Sequence, residues 1–117
     1  MIRHAIAAAT LLASAPLAAQ ATTQYEIEAR YDRAAACLQV RRWGDAERDF
    51  GAFLALRERD AGLARATKRA AANAHCGRAK CRRHLGQHRA AVADCADALR
   101  LAAMRDLERL VEDLADD

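Results

Sequence analysis

The sequence predicts an all-α fold: two antiparallel helical hairpins and a C-terminal capping helix. Three observations carry this. Apolar residues recur at spacings of three and four, and no segment alternates polar and apolar residues for long. Hydrophobic residues make up 53% of the chain, but alanine supplies much of that and aromatics only 4%. Alanine has the best helix propensity and buries little area, so the core is thin and helical. One pattern also occurs twice. RRWGDAERDFGAFLAL sets Ala46, Phe50, Phe53 and Leu54 where LGQHRAAVADCADALRL sets Ala91, Cys95, Ala98 and Leu99, 45 residues later.

The chain has 117 residues, enough for one domain. Residues 1–21 read as a secretory signal rather than part of the fold. Arg3 and His4 form a short basic segment, Ala5 to Ala15 is apolar, and the single proline, Pro16, breaks the run. Ala19-Gln20-Ala21 has the small-x-small form of a cleavage site, with the cut between Ala21 and Thr22. The apolar run is too short and alanine-dominated to hold a bilayer well, and no other stretch could span one. Arginine far outnumbers lysine, and alanine is abundant, as GC-rich bacterial genes encode. The expected compartment is a bacterial periplasm.

The first helix is expected from Tyr25 to Val40, with Ile27, Tyr31, Ala34, Ala35, Cys37 and Leu38 on its apolar side. Arg41 to Asp45 is the turn, with Trp43 packing back on the hairpin. Asp45 caps or opens a second helix that runs to about Arg57. This hairpin spans about 25–57. Arg57 to Gly62 is a charged link, and Gly62 marks the break. The third helix runs from about Leu63 to His84, with Leu63, Ala66, Ala70, Ala74, Gly77, Cys81 and Leu85 as its stripe. Gly86 and Gln87 turn the chain into a fourth helix, Arg89 to Ala102, closing a hairpin over about 63–102. Met104 to Ala115 is a separate fifth helix with Leu107, Leu110, Val111 and Leu114 facing one way and an acidic far side.

Four cysteines, Cys37, Cys76, Cys81 and Cys95, are an even set in a chain read as exported, which points to disulfides. Cys76 and Cys81 lie five apart on one helix, about 7.5 Å along its axis and on different sides, so they do not bridge each other. Two schemes remain: Cys37–Cys81 with Cys76–Cys95, or Cys37–Cys76 with Cys81–Cys95. Each bridge is worth about 2–4 kcal/mol. A competing set, Cys81, His84 and His88 (C-x2-H-x3-H, with His75 nearby), suits zinc or copper.

The two hairpins resemble the tetratricopeptide repeat, a helix-turn-helix building block. Ala34, Trp43, Ala46, Phe50 and Phe53 fall on the family's small and aromatic places in the first unit, and Ala79, Ala91, Cys95, Ala98 and Leu99 in the second. The sequence departs from the pattern where Arg78 and Arg82 stand for the usual leucine and tyrosine, where no proline ends a unit, and in a link about 11 residues longer than the family's. The resemblance implies a binding scaffold whose first helices line a concave face. Carried over, that face holds Tyr31, Asp32 and Leu38 in the first unit and Asn73, Lys80, Arg83 and His84 in the second. It also implies the pairing Cys37–Cys81 and Cys76–Cys95, and a polar-faced helix closing the array.

The net charge is +3, unevenly spread. Arg57 to Ala91 carries ten basic residues against two acids, and Val92 to Asp117 three arginines against eight acids. An acidic protein or peptide suits the basic stretch, because arginine pairs carboxylates bidentately. Export and the scarcity of aromatics disfavour nucleic acid; anionic lipid and cell-wall carboxylates stay open. There is no C-x-x-C, no nucleophile elbow and no helix histidine pair flanking a glutamate. His75 and Cys76 point apart, being adjacent on a helix. The expectation is a non-enzymatic, cofactor-free exported scaffold for protein–protein interaction, with homodimerisation compatible. The alternatives are a small Cys/His metal-binding protein or an enzyme of unrecognised type.

Overall fold

The computed structural model describes the backbone of residues 17–116 and the side chains of residues 24–116. The expected signal lies largely outside the described residues. Five helices follow in order: α1 Leu17–Gln39, α2 Trp43–Arg57, α3 Ala61–Ala66, α4 Lys68–His84 and α5 His88–Ala115. No strand occurs among the described residues. The protein is all-α, and α1/α2 and α4/α5 are its two hairpins.

The two hairpins are copies in geometry as well as in pattern. Arg41 and Gly86, 45 positions apart, both adopt the left-handed conformation (φ 61° and 80°). The N–H of Arg42 donates to the Cys37 carbonyl at 2.9 Å, and that of Gln87 to the Arg82 carbonyl at 2.7 Å. Arg41 N–H reaches the Leu38 carbonyl at 3.1 Å, and Gly86 N–H the Arg83 carbonyl at 3.2 Å. This is the Schellman C-cap, which satisfies the last carbonyls of a helix and reverses the chain. It is built twice with the same register.

The core is shared between the hairpins. Ile27 and Ala34 of α1, Ala46, Phe50, Phe53 and Leu54 of α2, and Ala71, Ala74 and Cys81 of α4 form one buried cluster. Tyr31 packs edge-on against Phe50 and Phe53, with centroids 6.0 and 5.2 Å apart. Gly77 lets α4 approach α2: a Cβ there would lie 2.6 Å from the Phe50 ring. His84 stacks flat on Trp43, 3.9 Å between centroids, and joins the end of α4 to the start of α2.

Three boundaries differ from expectation. Helix α1 begins at Leu17, upstream of the expected Tyr25 and of the expected cut after Ala21. The link is partly helical, because the Asp60 carboxylate accepts from Leu63 N–H at 3.0 Å and caps α3, so Gly62 lies inside a helix. The break falls instead at Thr67, whose hydroxyl donates to the Leu63 carbonyl at 2.6 Å and accepts from buried Arg57.

The fifth helix is not separate. Helix α5 runs unbroken to Ala115, because residues 100–105 hold no glycine or proline. Lys68, the first residue of α4, pairs with Glu108, and beyond that point α5 outruns its partner. Leu107, Leu110, Val111 and Leu114 are exposed and cap nothing among the described residues. Leu99, expected in the core, is exposed as well.

Candidate binding face

Each hairpin buries one aspartate. Asp49 of α2 takes a bidentate pair from Arg33, at 2.8 and 2.6 Å, with Arg30 at 3.6 Å. Asp94 of α5 is 1% exposed and takes two guanidinium groups and an imidazole. Arg78 Nη2 lies at 2.7 Å, Arg82 Nη1 at 2.8 Å and His75 Nδ1 at 3.0 Å. Arg33 to Arg78 and Asp49 to Asp94 are again 45 residues. The Arg33 hydrogen bond holds the Asp49 carboxyl below its ordinary range against the opposing effect of burial. Burial would raise Asp94, but the hydrogen bonds of Arg78 and His75 and the charges of Arg78 and Arg82 outweigh it and keep it low.

The second clamp explains why arginines stand at 78 and 82, against the repeat pattern. Arg78 and Arg82 do not replace core residues; their stems cross the hairpin and their heads neutralise Asp94, with Arg82 also reaching Glu47 at 3.2 Å. The sequence carried the signal. An Arg–Asp spacing of 16 residues occurs in both units at the same offset.

With those arginines engaged, the free cations of α4 stand out. Arg69, Lys80 and Arg83 are exposed, form no ion pair among the described residues, and share one stripe with exposed Asn73 and Cys76 at spacings of four and three. Three of the expected binding residues, Asn73, Lys80 and Arg83, therefore share an open face. The other two do not stand free. Tyr31 is a core wedge, held by its contacts with Phe50 and Phe53, and His84 lies flat on Trp43. Asp32 is exposed, while Leu38 packs partly against the core.

A polar cleft of about 250 Å³ opens beside the first turn, lined by Arg33, Cys37, Arg42, Asp45, Arg48 and Asp49. It exists because Cys37 is short where the second hairpin has Arg82. Its charges are already paired, Arg33 with Asp49 and both Arg42 and Arg48 with Asp45.

All four cysteines are free thiols. Cys81 is fully buried, and Cys37 is half-buried against the same cluster. Burial, then the Glu47 carboxylate and more weakly the Cys37 thiol, push the Cys81 thiol up. Cys76 and Cys95 are exposed, each one residue beyond the His75–Asp94 contact. The set Cys81, His84 and His88 does not converge, because Cys81 faces the core while His84 lies on Trp43 at the surface. Among the described residues, the possible metal-binding side chains that do converge are His75, Asp94 and Asp97, with ligand atoms within 4.8 Å of one another. Arg78 and Arg82 occupy Asp94, and Arg100 bonds Asp97, so guanidinium groups stand where a cation would sit.

No family model matches the chain, and neither the curated proteins nor the solved structures contain a match. No helix among the described residues is long and apolar enough to cross a membrane.

Proposed function

We propose that this chain is an exported, non-enzymatic helical scaffold, of the tetratricopeptide-repeat type, that binds an acidic protein segment along α4. One observation carries the reading. Arg69, Lys80 and Arg83 share an exposed stripe and have no carboxylate partner among the described residues, while the neighbouring Arg78 and Arg82 are neutralised internally. A row of uncommitted cations on a rigid helix is a ready counterpart for a peptide carrying carboxylates. The first hairpin adds little to this face, since Tyr31 is committed to the core.

Export to an oxidising periplasm follows from the leader pattern, and a cut after Ala21 would start the mature chain inside α1. There the thiols of Cys37 and Cys81, which border one core cluster, would pair. Cys76 and Cys95 would pair on the surface of the second hairpin. Non-reducing peptide mapping of protein recovered from the periplasm reads both the cut and the bridges.

The binding reading is tested with a fluorescent glutamate-rich peptide and anisotropy at low salt. Wild-type protein is expected to bind, and the double variant Lys80→Glu/Arg83→Glu to bind at least about tenfold more weakly, because two attractive contacts become repulsive. Equal binding by both proteins, or none by either, overturns the reading.

A further inference from the structure

The second hairpin ends on an apolar face that the first hairpin has covered. In the first unit Phe50 and Leu54 are buried, with Phe50 against Gly77 of the next hairpin. Among the described residues no hairpin covers their counterparts 45 residues on, Cys95 and Leu99: Leu99 is 72% exposed where Leu54 is 5%. The face continues along all of α5. Val92, Ala96, Leu99, Ala103, Leu107, Leu110 and Leu114 follow one another at spacings of four and three, all exposed. They mark a single stripe about 33 Å long on the side of α5 away from α4.

We infer that this stripe is the interface with a second copy of the chain, packed antiparallel about a two-fold axis through Ala103. The spacings four, three, four, four, three, four read the same in both directions about Ala103. An isologous contact needs such a self-complementary patch. In that arrangement Leu99 meets Leu107 of the partner subunit, Ala96 meets the partner's Leu110, and Val92 meets the partner's Leu114. Ala103 lies on the axis, where a small side chain lets the two helices come close.

Charge selects the antiparallel direction. Arg89 borders the start of the stripe, and Asp113 its end. Antiparallel packing sets the basic end of one helix by the acidic end of the other, whereas parallel packing stacks like on like. Head-to-tail stacking is disfavoured by the other end of the array. Where α4 offers Ala71 and Gly77, α1 offers Glu26 and Asp32, both exposed. Covering α1 would bury two carboxylates without partners. This inference is independent of the acidic-peptide reading, which uses a different helix.

Size-exclusion chromatography with light scattering, on the purified chain at high micromolar concentration, is expected to give twice the chain mass. Leu99→Glu and Leu107→Glu are each expected to give the monomer mass with wild-type helicity, because both residues are already exposed in the protomer. Lys80→Glu is expected to leave the dimer intact. Ala103→Cys, in a background of Cys76→Ser and Cys95→Ser, is expected to cross-link into a covalent dimer under oxidised glutathione. A wild-type monomer overturns the proposal. A dimer that survives both glutamate variants overturns the face, and a dimer whose Ala103→Cys form fails to cross-link overturns the antiparallel register.

Discussion

Asp94 shows how a thin alanine core is supplemented by charge. Its carboxylate is 1% exposed and sits among His75, Arg78 and Arg82. Its folded-state pKa lies below the ordinary 3.8. The folded protein therefore keeps the charge at pH values where the unfolded chain has taken up a proton. The stabilisation is complete above about pH 4 and disappears as pH falls through the lower, folded-state value. Asp94→Asn is expected to cost about 3–5 kcal/mol at neutral pH, because the Arg78 and Arg82 guanidinium groups lose their anion. It is also expected to flatten the acid limb of stability against pH, leaving the part that belongs to Asp49. Urea unfolding at a series of pH values reads both effects.

The thiols give a second residue-scale expectation. In reduced protein, Cys76 and Cys95 are expected to react rapidly with Ellman's reagent, Cys37 more slowly, and Cys81 only on unfolding. Mass spectrometry of partially alkylated protein assigns the order. Exposure of this kind was only partly visible in the sequence. Leu99 and Cys95 look like core residues because their counterparts Leu54 and Phe50 are. Only the number of hairpins decides whether that face is covered.

Among the elements, the paired Schellman turns allow a direct comparison. The same left-handed position is filled by arginine in the first hairpin and glycine in the second. A side chain there costs about 1–2 kcal/mol, partly offset because glycine loses more freedom on folding. Arg41→Gly is expected to raise the melting temperature modestly, and Gly86→Ala to lower it by a comparable amount. Thermal denaturation followed at 222 nm tests both. Gly86 was readable as punctuation; the first turn was readable over Arg41 to Asp45, but nothing marked Arg41 as its left-handed residue, since arginine carries no such signal. The same limit explains the link: Asp60 as a cap was hidden beside Gly62, which looked like the stronger break. It explains α5 too, where the acidic, amphipathic tail suggested a folded-back cap although nothing in the sequence stops the helix.

At the level of the whole molecule, the chain is more extended than its length requires. Its radius of gyration is 17.3 Å, against about 13 Å for a compact domain near this size. The overhang of α5 beyond Glu108 contributes to this. The doubling of the hairpin was legible because Ala46 and Ala91, and the residues around them, repeat an interval. What the interval could not reveal was that its basic residues divide into two sets, one turned inward to an aspartate and one left in solvent.

That fixed interval also makes the hairpin a cassette. An extra copy of residues 46–90 spliced in frame before Ala91 would set its Asp49 sixteen residues after the original Arg78 and its Arg78 sixteen residues before Asp94, so both junctions would keep the spacing of the clamps. Lengthening the protein by gene duplication would then demand no new invention at the junctions, only a repetition of the fit between Gly77 and Phe50.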